Sequence, residues 1–181
     1  YWYEDDEVVA MASERPAIQT ALTVSVKYVR ELKPGHALII KRDGTVSEVP
    51  FVDQPSERKA CSFERIYFSR GTDRDIYLER KKLGEQLVEP VLQSVNYDFE
   101  NTVFSYVPNT SESAFFGFIE GLQKSIDAYK KKKLLDLKDQ LTDEKIKEIM
   151  NWRPRIEKLV VKDEKLRTFI ADEEIRAEMV S

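Results

Sequence analysis

The residues best equipped for chemistry lie in the run Cys61-Ser-Phe-Glu-Arg-Ile-Tyr-Phe-Ser-Arg-Gly71. It holds the chain's one thiol, the aromatics Phe63, Tyr67 and Phe68, and the cations Arg65 and Arg70, with Arg74 just beyond. A strand that buries rings beside a phenol and ends in Arg-Gly, ahead of the cap candidates Asp73 and Asp75, suits the wall of a binding site. An ordinary aromatic-rich core strand has the same composition, so both readings stand. A second stretch, Asn109-Thr110-Ser111-Glu112, reads as a tight turn from strand into helix. Its backbone N–H groups could receive an anion, or its polar side chains could simply cap the helix. Cys61 sits mid-chain with no terminal amine to act as its base, which argues for an inert, buried thiol rather than a nucleophile. His36, the single histidine, follows Pro34-Gly35 at a strand start and is explained by turn packing.

The elements that must position these groups follow from pattern. The chain has 181 residues, 29 basic and 33 acidic, a net charge of −4 and 41% hydrophobic residues, enough for one or two small domains with a core. Acidic balance offers no general attraction to nucleic acid or to an anionic membrane. The run Lys130–Lys133 is followed at once by acids and lacks interleaved aromatics, so a solvated helix face is its reading. No apolar run approaches the roughly 20 residues of a spanning helix, and no basic-then-apolar leader opens the chain, which points to a cytoplasmic protein. Two strands joined by an acidic turn are predicted within Tyr1–Ser13, a short helix from Pro16 to Leu22, and a hairpin at Asp43-Gly44 joining strands 36–41 and 45–51. Gln54 to Lys59 reads as a linker. Beyond it, apolar spacing predicts a helix from about 75 to 95 with a possible kink at Pro90, a buried strand over 102–108, a helix after Asn109, and a helix over 142–150 capped by Thr142. Ile156 to Val161 reads as a further strand. Asp5-Asp6 and Asp172-Glu-Glu174 are the acidic clusters, and neither precedes a Gly-rich turn.

Three separated motifs carry a resemblance. Met11-Ala-Ser-Glu-Arg-Pro-Ala-Ile18 followed by Leu32-Lys-Pro-Gly-His-Ala-Leu-Ile39, then Cys61-x-Phe-Glu-x-Ile-Tyr-Phe-Ser-Arg70 with Arg80-Lys-Lys-Leu-Gly84, then Arg167-Thr-Phe-Ile170, occur in that order. The chain resembles the glutamine phosphoribosylpyrophosphate amidotransferases around the junction of their two domains. Residues 8 to 122 correspond in order, 155 to 170 more loosely, and 123 to 154 find no counterpart. The resemblance implies a mixed α/β (α+β) fold. Residues 1–60 would be the C-terminal part of an αββα amidotransferase domain of the Ntn type. Residues 61–181 would be the first part of a type I phosphoribosyltransferase sheet, with a charged helical segment at about 123–152.

In that family an N-terminal cysteine releases ammonia from glutamine, and the ammonia passes through the interior to phosphoribosylpyrophosphate, giving phosphoribosylamine for purine synthesis. The resemblance places Phe63, Tyr67 and Phe68 on the passage and Phe169 and Ile170 on the mobile loop that completes it. Arg167 falls on a loop arginine near substrate phosphate, and Asn109, Thr110 and Ser111 on the turn at the mouth of the transferase site. Two departures limit the transfer. Asn109 replaces an acidic residue, so no metal-linked role carries over to it, and Val161-Lys-Asp-Glu-Lys-Leu166 replaces the usual Lys-Asn-Arg-Tyr-Val-Gly. The nucleophilic cysteine and the diacid Gly-Thr-Thr motif for phosphoribosylpyrophosphate are also missing, so the sequence is expected to be an inactive excerpt of a longer enzyme. Mg²⁺ is expected for that enzyme. An iron–sulfur cluster is not, because Cys61, a ligand position in some relatives, has no companion cysteines. Glutamine and phosphoribosylpyrophosphate are the implied partners, and incomplete sheets imply a homo-oligomer. The competing readings are a noncatalytic regulatory or interaction paralogue and an unrelated phosphate-binding α/β domain.

Overall fold

The computed structural model describes residues 1–54 and 57–160. The fold is mixed α/β, as expected, and divides by internal contacts into two compact units, Tyr1–Leu78 and Glu79 onward. That division lies within a helix and some 18 residues after the linker.

In the first unit, β1 (Trp2–Glu4) pairs antiparallel with β2 (Val9–Met11). The acidic turn between them closes on one carboxylate: Asp5 Oδ1 accepts the N–H groups of Glu7 at 2.9 Å and Val8 at 2.8 Å. Helix α1 (Arg15–Leu22) starts with Pro16 in its first turn, where the missing N–H leaves no acceptor unsatisfied. It ends at Thr23 in the left-handed region, φ 54°. Strands β3 (His36–Ile40) and β4 (Val46–Pro50) form the expected hairpin, with Ile40 opposite Val46 and His36 opposite Pro50. Its turn needs Gly44 at φ 84° and is tied by Thr45 N–H donating to Asp43 at 3.0 Å. Among the described residues of this unit, Trp2, Pro16, Ile18, Val29 and Ile76 are the buried apolar side chains.

The strand expected over Cys61–Gly71 is not one. Residues Glu64–Phe68 form a wide helical turn, closed by Ser69 N–H donating to Glu64 O, five residues back, at 2.8 Å. The spacing explains it: Phe63 and Tyr67 are four apart and stack with centroids 5.2 Å apart, which a helix permits and a strand does not. Helix α2 (Arg74–Gln86) follows, capped by Asp73, whose Oδ1 accepts from Asp75 N–H at 2.9 Å and Ile76 N–H at 3.3 Å.

The single helix expected over 75–95 is broken at Leu87, where α3 (Val88–Ser94) begins. Pro90 thereby falls in a first turn, where no N–H is needed, instead of kinking a helix interior. The strand expected over 102–108 is reduced to β5 (Val103–Phe104), because its parallel partner β6 (Arg155–Ile156) is itself two residues long. Between them lie α4 (Glu112–Leu137), a 26-residue helix, and α5 (Asp143–Asn151). Thr142 caps α5 as expected, its side chain accepting from Lys145 N–H at 3.3 Å.

Val88, Leu92, Phe99, Phe104, Phe118, Leu122 and Ile126 make one continuous core in this unit. Glycines bring the helices together. A methyl on Gly84 would strike the carbonyl of Ala114, and one on Gly117 the carbonyl of Lys81, so α2 and α4 touch backbone to backbone. The lysine run is solvated at Lys131–Lys133, but Lys130 is buried, only 5% exposed. Its ammonium donates to Met150 O at 2.9 Å, in the last turn of α5. Burial and the nearby Arg153 charge hold that ammonium below its usual pKa.

Candidate functional site

The structure draws the first two motif stretches together. Glu14 and Arg15, at the start of α1, reach across to Arg70 and Asp73, which bracket the turn into α2. Arg15 Nε donates to Asp73 Oδ2 at 2.9 Å and its Nη2 to Asp73 Oδ1 at 2.7 Å, a two-pronged pairing that matches guanidinium to carboxylate. The same Nη2 donates to Asp75 at 2.8 Å. Glu14 forms an ion pair with Arg70, and Arg58 donates to Glu31 at 2.9 Å. Burial opposes charge on Arg15, but its bonds to Asp73 and Asp75 outweigh that and hold the guanidinium well above its ordinary pKa. Burial likewise opposes the Asp73 carboxylate, yet the Arg15 bonds and the two N–H groups it caps leave its pKa below the ordinary value.

All of these groups except Asp75 line a cavity of about 340 Å³, whose wall also includes Ser13, Arg65, Phe68 and Ser69. Among the described passage aromatics Phe63, Tyr67 and Phe68, Phe68 borders it. Phe63, Tyr67 and Phe68 form a three-ring cluster, with Phe68 edge-on to Phe63 at 5.4 Å and to Tyr67 at 5.3 Å. The cluster is not buried as the sequence predicts: Phe63 is 55% and Phe68 57% exposed. A helical turn shows one face to the protein and the other outward, whereas a central strand would have been covered on both.

Cys61 is exposed as well, which corrects the expectation of a buried thiol. Among the described residues no group of three or more His, Cys, Asp or Glu could hold a metal ion. His36 behaves as a turn residue, its Nδ1 lying 2.9 Å from Pro34 O.

At the start of α4, Asn109 is exposed and Thr110 and Ser111 are half-buried. The Ser111 hydroxyl donates back to Val107 O and makes no capping bond, so plain N-capping does not account for that serine. Glu112 N–H donates to Asn109 O at 3.2 Å, and the Glu112 carboxylate, in the helix's first turn, accepts from Tyr106 at 2.9 Å. Arg167, Phe169 and Ile170 lie outside the described residues.

Sequence reasoning singled out Asp73 as a cap and missed Arg15 as its partner and Glu14 as the partner of Arg70. The only local signal was an acid-base pair directly before a helix-starting proline.

Two relatives match at the level of sequence. The chain is 34% identical over 118 residues to an amidophosphoribosyltransferase of Bacillus subtilis, covering 63% of this chain and 22% of that protein. It is 29% identical over 103 residues to an amidophosphoribosyltransferase of Drosophila melanogaster, covering 54% of this chain and 18% of that protein. The resemblance read from the motifs is borne out. The chain spans about a fifth of the length of these relatives. No family model matches it, and no solved structure does. No helix among the described residues is long and apolar enough to cross a membrane.

Proposed function

We propose that this chain is the junction segment of an amidophosphoribosyltransferase, an enzyme of purine biosynthesis that moves glutamine-derived ammonia onto phosphoribosylpyrophosphate with release of pyrophosphate. What supports the reading most is that the similarity to two enzymes of that name coincides with a structure in which Glu14 and Arg15 of the motif Met11–Ile18 grip Arg70, the last residue of the motif Cys61–Arg70, and Asp73 just beyond it. Residues 1 to about 60 belong on this reading to the Ntn-type amidotransferase domain, and the rest to a type I phosphoribosyltransferase sheet that begins with the parallel pair β5 and β6. On this reading the 181 residues alone carry neither half-reaction: Cys61, the one cysteine, lies mid-chain without an N-terminal amine to act as its base, and the sequence has no diacid followed by Gly-Thr-Thr to bind phosphoribosylpyrophosphate.

The ring cluster fits a passage chemically. Ammonia that meets bulk water at neutral pH is protonated and loses its lone pair, so it must travel past apolar walls. Phe63, Tyr67 and Phe68 supply one wall, and Phe169 and Ile170 the wall that closes when substrate binds. Arg167 and the Asn109–Ser111 turn belong to the binding of the phosphoribosyl substrate. Mg²⁺ accompanies that substrate in the complete enzyme. The test is to make Tyr67→Ala and Phe169→Ala in the full-length protein and compare glutamate formed with phosphoribosylamine formed. Glutaminase and ammonia-dependent transfer persist while the fraction of glutamine nitrogen reaching product falls. An unchanged ratio in both variants removes these residues from the passage.

A further inference from the structure

Three residues of α1's first turn and its cap, Glu14, Arg15 and Pro16, form a rigid start, because Pro16 is buried and its ring fixes the backbone there. From that start two adjacent side chains grip two positions three apart in the later motif: Glu14 takes Arg70 and Arg15 takes Asp73. Arg70 lies two residues after Phe68, and Asp73 N–H donates to Arg70 O at 3.1 Å, so the gripped segment is itself closed into a turn. The wide helical turn Glu64–Phe68 ends at Ser69, directly before this grip. It is a short turn whose apolar side chains Phe63, Ile66 and Phe68 are largely exposed.

From this geometry we propose that Arg15 is a positioning residue: through Asp73, and helped by Glu14 on Arg70, it fixes the turn Glu64–Phe68 and so sets where the ring cluster of Phe63, Tyr67 and Phe68 stands, with Phe68 at the edge of the cavity. Arg15 touches no reacting atom. Its contribution depends on the planar fork, since two parallel N–H groups meet the two Asp73 oxygens, and a lysine ammonium cannot reproduce that pairing. Asp73 serves two partners at once, because Oδ1 also caps α2, so moving Asp73 moves the start of that helix as well. The role in ammonia transfer rests on the passage reading above; the fixing of the turn does not.

The experiment uses Arg15→Gln, Arg15→Lys and Asp73→Asn, the last keeping an oxygen that can cap α2 while removing the charge. In the 181-residue chain, hydrogen exchange is followed at the amides of Arg65 and Ser69, which donate to Cys61 O at 3.2 Å and Glu64 O at 2.8 Å. In the full-length protein, the ratio of phosphoribosylamine to glutamate is measured beside the ammonia-dependent rate. Arg15→Gln and Asp73→Asn speed exchange of both amides at least tenfold, Arg15→Lys restores only part of the protection, and the ratio falls while the ammonia-dependent rate holds. Fluorescence of a chain carrying Trp2 alone, which reports the unit Tyr1–Leu78 that holds the substitutions, confirms that the variants are folded. Unchanged exchange at Arg65 and Ser69 in folded Arg15→Gln overturns the proposal outright. Faster exchange with an unchanged ratio, where Tyr67→Ala does lower it, overturns the positioning role. If neither Arg15→Gln nor Tyr67→Ala lowers the ratio although the turn loosens, the passage reading fails and the grip on the turn stands.

Discussion

From Tyr1 to Leu78 the chain is joined over long sequence separations by charge, whereas from Glu79 onward it is joined by apolar packing. Arg15–Asp73, Arg15–Asp75, Glu14–Arg70 and Arg58–Glu31 tie the early part of the first unit to its last part, around few buried apolar side chains. The second unit has a continuous core of seven buried residues and helices that meet at glycines. Its salt bridges, such as Lys124–Glu85, lie on the surface, where such pairs contribute little. The contrast teaches that the same chain answers to two kinds of perturbation: solution conditions reach the first unit, and side-chain volume reaches the second. The two tryptophans allow the units to be read separately, since Trp2 lies in one and Trp152 in the other.

The strongest way to break that contrast is Ile126→Ala. Ile126 is fully buried, and truncating such a residue costs roughly 2–5 kcal/mol from lost burial and the cavity left behind. Urea unfolding of a chain carrying Trp152 alone should shift by that amount, while a chain carrying Trp2 alone keeps its midpoint. Equal shifts at both reporters would show that the units do not differ in what holds them.

A smaller loss is expected for Gly84→Ala. The added methyl meets the Ala114 carbonyl, a backbone atom that cannot swing aside, so the helices must separate at a cost of about 1–3 kcal/mol. The Trp152 transition measures it, and a neutral or stabilising result would mean that α2 and α4 pack less closely than described.

The mildest effect is that of pH on the first unit, and it sharpens the comparison. Asp73 has a folded pKa below its ordinary value, so its contribution is present in full above the usual carboxylate pKa of about 3.9 and is lost as pH falls through the lower folded value. Arg15 is shifted upward and stays charged across this range, so it adds no dependence of its own. On acidification the Trp2 transition should weaken, and Asp73→Asn should flatten that part of the Trp2 profile. Identical acid profiles for wild type and Asp73→Asn would remove the pair as its source.

What the sequence made legible is what local rules decide. The hairpins, α1 behind Pro16 and the Thr142 cap of α5 follow from residues within a few positions of one another. The mixed α/β class followed from the resemblance that the motifs carry. The turn at Glu64–Phe68 was misread because aromatic residues favour strands, while the three- and four-residue spacing of Phe63, Ile66 and Tyr67 favours a helix. Lys130 looked like its three neighbours, and only the return of α5 across α4 buries it. The grip of Arg15 on Asp73 spans 58 positions, so no window of sequence contains both partners. The passage aromatics were legible as a group through the motif, but their exposure was not, since burial depends on which element carries them.

The strand pair β5 and β6 has a consequence for the order in which the chain folds. Val103 meets Arg155, so the pair closes a loop of about 50 residues that contains all of α4 and α5. Bringing such ends together costs on the order of 3–4 kcal/mol of chain entropy by the logarithmic rule, and two residues of ladder repay little of it. Contacts of long sequence separation form slowly, whereas helices form and dock from neighbouring residues. The α4–α5 hairpin, fastened by Lys130 on Met150, therefore shortens the loop before the strands can meet. The parallel ladder, with Glu157 N–H on Phe104 O at 3.1 Å, is the last part of this unit to form and the first to open.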